Sequence, residues 1–172
     1  MKRLLIIFAL VLLLPGCSID GTGAKNAVLK YNELLAEGYR NLNMNPLATV
    51  STIEIASKAY NHMAALGEAR VKMDSKMDNI KFLTVKPFST MAGDRIEVKT
   101  EEDWKYKYIN LDSGKSSAES SVSYQMKYIL EKRSGRWLVS DITILKEEGD
   151  KSAEDIFERP MGQNDLKTEE KD

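Results

Sequence analysis

Apolar and charged residues alternate from Arg95 to Tyr108, and this alternation constrains the fold more than any other feature of the chain. Successive side chains of a strand point to opposite faces of a sheet, so the pattern predicts one long strand with one buried face. The apolar members share even numbers: Ile96, Val98, Trp104, Tyr106 and Tyr108. The charged members share odd numbers: Arg95, Glu97, Lys99, Glu101, Asp103, Lys105 and Lys107. A sheet with one buried and one solvated face follows.

Three shorter segments with alternating residues accompany this strand, separated by residues that favour turns. In chain order they are Ile80 to Pro87; Val122 to Leu130, after a turn at Asp112–Lys115; and Trp137 to Leu145, after a turn at Arg133–Arg136. Strands joined by short turns pair as antiparallel neighbours. We therefore expect an antiparallel meander of about four strands.

Two helical segments precede the strands. The first is predicted from Asn26 to Asn43, where apolar residues recur at steps of three and four. These residues are Val28, Tyr31, Leu34, Leu35, Tyr39 and Leu42. The second begins at Asn45-Pro46, a helix-start signal, and its pattern continues to Met73, although the β-branched run from Thr49 to Thr52 is able to split it. The predicted class is α+β, with two N-terminal helical segments packed on the sheet.

The order of these elements resembles the NTF2-like superfamily, also described as a cystatin-like α+β cone. The resemblance spans residues 26–145 and includes the closing turn Gly135-Arg136-Trp137, which aliphatic residues follow. It implies that the sheet is curved, that the helices lie in the curve and that a pocket lies between them. Some members are isomerases or dehydratases and many others bind or assemble without catalysis, so the resemblance leaves the function open.

Composition excludes several classes of function. The chain has 172 residues, with 25 Lys and Arg against 26 Asp and Glu. Because this balance gives no basic surplus for a phosphate backbone, we expect no nucleic-acid partner. The single Cys and the single His exclude an internal disulfide and a cluster of several His ligands. We expect no metal and no cofactor.

The N-terminus predicts export. Met1-Lys2-Arg3 precedes the unbroken apolar stretch Leu4–Leu14, an order typical of a signal peptide over residues 1–16. As a helix, the 11 apolar residues cover about half of the ~30 Å hydrocarbon core, which is too short for a stable span. The run Leu14-Pro15-Gly16-Cys17 resembles the bacterial lipobox. The resemblance implies that Cys17 receives diacylglycerol and becomes the first residue of the mature chain.

That anchor would place the protein in the cell envelope, with membrane lipid as a partner. By the same resemblance, Ser18 after the modified cysteine implies the outer membrane, facing the periplasm, if the source is Gram-negative. The predicted organisation is a signal peptide (1–16), a lipidated Cys with its tether (17–25), the domain (26–145) and an acidic, mostly disordered tail (146–172). The tail contains ten acidic and five basic residues.

Aromatic residues form the candidate ligand pocket. Trp104, Tyr106 and Tyr108 share one parity of the long strand, and Tyr124 and Tyr128 share one parity of the next strand. Buried aromatic faces of this kind supply core area in many proteins, and in others they line an amphipathic pocket. The sequence leaves both roles open.

No residue is assigned a catalytic role. Glu101 and Asp103 have the outward parity of the long strand. Glu102 and Asp141 have the inward parity of their strands, but Glu102 stands within an acidic run that a bulge could disrupt. We interpret all four as solvated or strand-end charges. We expect His62, in the second helical segment, at the surface or rim of the domain.

The leading hypothesis is a membrane-anchored, non-catalytic module that binds a small apolar ligand or an envelope protein. The first alternative is an isomerase- or hydrolase-type enzyme that uses a pocket acid and a tyrosine. The second is a structural subunit of an envelope complex. A buried carboxylate beside a tyrosine hydroxyl would favour the enzyme, a filled interior with every acid at the rim would favour the binding module, and a large apolar patch on the outer sheet face would favour the subunit.

Overall fold

Two helices precede a four-stranded antiparallel sheet. The computed structural model describes residues 21–90 and 93–149. The elements are α1 (Gly21–Asn41), α2 (Ile53–Glu68), β1 (Val71–Thr90), β2 (Gly93–Asn110), β3 (Ser120–Arg133) and β4 (Arg136–Gly149). The strands lie in the sheet in chain order, β1-β2-β3-β4. The predicted α+β class, two helical segments on a curved antiparallel sheet of four strands, is confirmed.

Helix α1 packs on the sheet through one face, as its periodicity predicts. Val28, Tyr31 and Tyr39 are buried on that face. The helix begins at Gly21 rather than at Asn26, because Ala24 is fully buried in the core. Residues 21–25, predicted as part of a flexible tether, therefore belong to the folded domain.

The second helical segment is split, as the β-branched run indicated. Asn45–Thr49 is a 3-10 helix, and α2 starts only at Ile53. Between them the backbone joins the edge of β4: the Thr52 amide donates to the Val139 carbonyl and the Val139 amide donates to the Val50 carbonyl, both at 2.9 Å. These two bonds fix the start of α2 against the sheet.

The prediction that the second helix continues to Met73 is wrong. Helix α2 ends at Glu68, and Arg70 adopts a positive φ of 58°, which no α-helix continues. Strand β1 starts at Val71, nine residues before the predicted Ile80. Met73 is buried as a strand residue on the inner face of the sheet. The sequence carried a signal for this in eight alternating residues, Val71-Lys72-Met73-Asp74-Ser75-Lys76-Met77-Asp78.

A bulge in β4 decides which of its side chains face the core. The β3–β4 register shifts between Val139 and Asp141, which makes Ser140 an extra residue. A bulge of one residue reverses the alternation of the side chains that follow. Asp141 is therefore exposed, which agrees with its interpretation as a solvated charge, although its parity with Trp137 and Val139 had placed it on the inward face. The residues turned inward beyond the bulge are Ile142 and Ile144.

Four register shifts, two in the β1–β2 pairing and two in the β3–β4 pairing, bend the sheet so that both edge strands contact α1. The core lies between the inner sheet face and the helices. Its fully enclosed members include Val28, Leu47, Ile96, Val98, Leu130 and Val139. Burial of these side chains is the main stabilising contribution to the fold.

The last strand extends further than expected. β4 pairs with β3 as far as Gly149, opposite Val122, so residues 146–149 of the predicted tail belong to the sheet. The rest of that tail (150–172), the predicted signal peptide (1–16), Cys17 and Ser18 lie outside the described residues.

Candidate functional site

A cavity of about 80 Å³ lies between α1 and the inner face of the sheet. Apolar side chains form most of its wall: Tyr31, Leu35, Met73, Met126, Ile142 and Ile144. Three polar side chains also border it, namely Asn32, Ser75 and Glu102. The cavity is thus an apolar space with a few polar groups at fixed places, which is the usual make-up of a ligand site.

Glu102 is the charged residue of the site and is only 2% exposed. The hydroxyls of Thr100 and Tyr128 donate to its Oε1 at 2.6 and 2.8 Å, and the Asn32 amide donates to the same oxygen at 3.3 Å. The indole Nε1 of Trp104 donates to Oε2 at 3.0 Å. A buried carboxylate is tolerated only when donors replace its water, and these four residues supply them.

Three elements position the donors. Thr100, Glu102 and Trp104 follow one another on the inner parity of β2, while Tyr128 reaches over from β3. Asn32 comes from the buried face of α1, and its amide also donates to the Tyr128 hydroxyl at 3.2 Å. The network therefore ties the helix to two central strands.

Burial keeps the tyrosine hydroxyls of the site neutral. Burial, followed by the negative charge of Glu102, raises the pKa of Tyr31 and of Tyr128. Burial, followed by the charge of Glu147, raises the pKa of Tyr124. None of these side chains becomes a phenolate near neutral pH, so each acts as a hydrogen-bonding group and not as a base.

Four of the five predicted pocket residues border the cavity. Tyr106, Tyr124 and Tyr128 are buried along its wall, and Trp104 is half-buried beside it. Tyr108 does not line the cavity: its ring packs edge-on against Tyr106, with centroids 5.9 Å apart. The predicted aromatic residues therefore do share one face of the sheet, but Tyr108, the one nearest the end of β2, lies outside the pocket.

The interpretation of Glu102 as a solvated or strand-end charge is wrong. The β2–β3 register is continuous from Arg95 to Tyr106, so no bulge there turns Glu102 away from the core. Its neighbours face outward as expected: Glu101 pairs with Lys81 at 3.1 Å, and Asp103 accepts a bond from Ser123 at 2.6 Å.

Two members of the site were not singled out from the sequence. Asn32 stands four residues after Val28 and four before Ala36, so the helical period places it on the buried face of α1. Thr100 has the inward parity of the long strand. In both cases the sequence places a polar residue at a core position, and this was the signal that could have identified it as a member of the site.

His62 forms a second polar contact at the end of the cavity. The Tyr39 side chain lines the cavity, and its hydroxyl lies 2.6 Å from Nδ1 of His62. The two rings pack edge-on with centroids 5.3 Å apart. Burial lowers the pKa of the His62 imidazole. His62 is half-buried, consistent with the rim position expected from the sequence.

The outer face of the sheet is charged. Its ion pairs include Lys105 with Asp78 at 3.0 Å and Lys81 with Glu101 at 3.1 Å. Within residues 21–90 and 93–149, no group of three His, Cys, Asp or Glu side chains could hold a metal ion. In the same part of the chain, no helix has the length and apolar character needed to cross a membrane.

The sequence matches no family model and no curated protein. Twenty-three chains of solved structure match the fold, among them the crystal structure of the intermembrane space region of the chloroplast protein ARC6. That similarity has a TM-score of 0.64 at 15% identity and covers 74% of this chain and 97% of that one. At such low identity the likeness shows a shared fold alone.

Proposed function

We propose that this protein is anchored in the cell envelope through acyl chains on Cys17 and that its domain is a non-catalytic binding module. The cavity beneath α1 takes a short apolar group that ends in a hydrogen-bond donor. The observation that carries the proposal is the Glu102 carboxylate at the wall of an otherwise apolar cavity. ARC6, which has a region of similar fold, is itself a protein of an organelle with an intermembrane space, which agrees with an envelope location.

The donor end of the group follows from the hydrogen bonds of Glu102. A carboxylate oxygen has two lone pairs, and among the described residues a single donor, the indole of Trp104, bonds to Oε2. One acceptor position on Oε2 therefore remains for a hydroxyl or ammonium group. Because the surrounding wall is apolar, such a bond would be protected from competing water.

The size of the cavity limits the occupant. A cavity of ~150 Å³ binds benzene, and drug-sized ligands need roughly 300 Å³ or more. At about 80 Å³ this cavity suits a group of about three to five non-hydrogen atoms. Such a group is the end of a small molecule or one side chain of an envelope protein.

Two isomeric probes test the proposal. Isobutanol has an apolar body and a hydroxyl donor, whereas methyl isopropyl ether has the same atoms without a donor. We expect saturable, millimolar binding of isobutanol in ligand-detected NMR and at least about tenfold weaker binding of the ether, since a hydrogen bond to a charged group contributes about 1.5–3 kcal/mol. Equal binding of both probes, or no binding of either, would contradict the proposal.

Variants locate the binding. Ile144→Phe adds atoms to the cavity wall and should abolish isobutanol binding without touching Glu102. Glu101→Gln changes the neighbouring, outward carboxylate, so it should leave the affinity unchanged. A retained affinity in the Ile144→Phe variant would place the bound alcohol elsewhere on the protein.

The arrangement named above as favouring the enzyme, a buried carboxylate beside a tyrosine hydroxyl, is present, so the enzyme is a second candidate. We rank it second because Glu102 Oε1 already accepts three hydrogen bonds from Thr100, Tyr128 and Asn32, which hold the carboxylate as part of the folded network. The buried Glu102 carboxylate lies 2.8 Å from the Tyr128 hydroxyl, the acid–tyrosine pair that an isomerase-type site would need. In that case Glu102 would remove a proton next to a small carbonyl group, and the enzyme would exchange the methyl protons of acetone for deuterium in D₂O. Exchange faster than in buffer, and lost in Glu102→Gln, would establish this candidate in place of the binding module.

A further inference from the structure

We infer that one end of this domain lies against an anionic lipid surface. The hairpin end, as we call it, consists of the described residues near the tips of the β1–β2 and β3–β4 hairpins, residues 86–90, 93–95 and 131–136. The inference deepens the proposed function, because it rests on the predicted anchor at Cys17 and states which surface that anchor holds against the membrane.

Both tips lie at the same end of the sheet because the strands are antiparallel neighbours. Arg95 pairs with Phe88 on one side and with Glu131 on the other. The second tip closes in the pair Arg133 and Arg136, just beyond that row. The two hairpins therefore present one continuous rim.

The start of α1 points to this same end. A Cβ added to Gly21 would lie 3.3 Å from Cγ1 of Val85, and the Lys25 ammonium lies 5.4 Å from the Phe82 ring centroid. The other end of α1 contacts the start of β1, where Arg40 binds Asp74. Helix α1 thus runs antiparallel to β1, with its first residue next to the hairpin end.

The anchor is close to that residue. Gly21 is four Cα–Cα steps from Cys17, with three residues between them, and a fully extended chain spans at most ~3.3–3.6 Å per step. The start of α1 therefore stays within about 15 Å of the lipid. The surface next to the start of α1 is therefore held near the membrane whenever the acyl chains on Cys17 are inserted in the lipid.

The hairpin end has the chemistry of a membrane-facing surface. Its residues include five basic side chains, at Lys86, Arg95, Lys132, Arg133 and Arg136, against the acidic Asp94 and Glu131. Arg95 and Arg133 both pair with Glu131. Within the described part of the chain, Lys86 and Arg136 form no ion pair, so their charges are available to lipid phosphates.

Exposed apolar side chains accompany these charges. Phe88 and Leu83 on β1 are each 38% exposed, and Ile53 is 75% exposed. Ile53 begins α2 next to Thr52, which is bonded to β4 close to its hairpin. Basic side chains around exposed Phe, Leu and Ile are typical of surfaces that bind the headgroup region of anionic membranes.

The loop and the chain exit at the opposite end are acidic, whereas the strand ends there also carry basic residues such as Lys72 and Lys107. The loop of residues 110–119 joins β2 to β3 and contains one Lys against two acidic residues. The chain leaves β4 at Gly149, at this end, and residues 150–172 contain eight acidic and four basic side chains. An anionic surface would therefore attract the hairpin end more strongly than this end.

The test uses a chain that begins at Ser18, so that no acyl anchor contributes. Among the described residues, the buried core runs from Ala24 to Val139, and the chain that begins at Ser18 retains all of it. We expect the chain to sediment with vesicles that contain phosphatidylglycerol, more weakly as salt rises, and not with vesicles of phosphatidylcholine alone.

Two charge-reversal variants with the same net charge separate a local surface from overall charge. Lys86→Glu, Lys132→Glu and Arg136→Glu together should weaken vesicle binding at least about tenfold. The matched control changes Lys72, Lys107 and Lys115, at the opposite end, to Glu and should weaken it less than about threefold. An equal loss in both variants, or no preference for phosphatidylglycerol, would overturn the inference.

A second readout uses the full lipidated chain. Because Cys17 is its only thiol, a cysteine introduced by Phe88→Cys or Ser113→Cys is a unique site for an environment-sensitive fluorophore. The fluorophore at residue 88 should report an apolar environment in anionic vesicles and the one at residue 113 should not. The charge-reversal variant at the hairpin end should still bind isobutanol, so a failure here would leave the proposed cavity site unaffected.

Discussion

Glu102 and Tyr128 are 26 residues apart in the chain, and the Tyr128 hydroxyl donates to Glu102 Oε1 at 2.8 Å. Tyr128 is 1% exposed and Glu102 is 2% exposed, so the contact is sealed from bulk water. An acidic side chain at such a position destabilises a fold unless hydrogen-bond donors compensate for the water that the carboxylate loses. The domain therefore depends on this network for both its stability and its candidate site.

Replacing Glu102 by Gln should lower the free energy of unfolding by about 1–3 kcal/mol. The amide keeps the shape of the side chain, but its NH₂ group faces one of the four donors of the network and leaves it without an acceptor. Urea denaturation measures the change. Glu101→Gln is the matched control, and we expect it to change stability by less than about 0.5 kcal/mol because its carboxylate is on the solvated face. Similar losses in both variants would contradict the role of the network.

The two tryptophans should respond differently to substitution. Trp137 is buried at 8% exposure, so Trp137→Ala should lower the free energy of unfolding by about 3–5 kcal/mol through lost burial and the space left behind. Trp104 is half-buried, and Trp104→Phe keeps most of the ring while removing the bond to Glu102. The expected loss of unfolding free energy is about 1.5–3 kcal/mol, the contribution of a hydrogen bond to a charged group. Thermal and urea unfolding compare them, and a tolerated Trp137→Ala would contradict the placement of that ring in the core.

Stability should fall as the pH drops through about 6.5, the ordinary pKa of histidine. Burial lowers the pKa of folded His62, so between that value and 6.5 the unfolded chain binds more protons than the folded one. The contribution of neutral His62 to the free energy of unfolding is complete above pH 6.5 and is lost once the pH falls below the pKa of His62 in the folded protein. His62→Gln should flatten this part of the stability profile. His62 is the only histidine, so its ring protons give one NMR titration, and a midpoint at or above 6.5 would contradict the effect of burial.

Cys17 should carry acyl chains in the membrane-bound protein. Mass spectrometry of protein extracted from membranes should show a mature chain that begins with a modified Cys17, and Cys17→Ser should leave an unprocessed precursor. A free thiol at Cys17 in the membrane fraction would remove the anchor from the proposal. The chain that begins at Ser18 lacks Cys17, so its binding to vesicles does not depend on whether Cys17 is acylated.

The periodicity of the sequence predicted the architecture because burial acts residue by residue along each element. The inward-facing residues of β2 and the buried face of α1 could both be predicted from the sequence. Val98 and Tyr31 are examples, since both are buried. The start of β1 was not found, because Val71 and Met73 also continue the helical spacing of α2. The alternation from Val71 to Asp78 was the available signal for the strand, whereas the positive φ of Arg70, which ends the helix, gives no sequence signal at a non-glycine residue.

The site was harder to predict than the fold because its members meet through tertiary packing. Asn32 is 70 residues from Glu102, and no local pattern links a helical amide to a carboxylate in a later strand. The bulge at Ser140 also could not be predicted from the sequence. It turns Asp141 away from the cavity wall and places Ile142 there instead. Alternation predicts which face of the sheet a side chain occupies only as far as the next bulge, because an extra residue reverses the faces of the residues that follow.

The indole N–H signal of Trp104 tests the central claim most directly, because this group donates to the same Glu102 oxygen that the proposed ligand would use. The chain has two tryptophans, so a ¹H–¹⁵N spectrum shows two indole signals, and Trp104→Phe identifies one of them. On titration with isobutanol we predict that the Trp104 signal shifts to saturation while the Trp137 signal stays in place. Methyl isopropyl ether should produce no saturable shift. Equal, linear shifts of both signals with both compounds would contradict a binding site at Glu102.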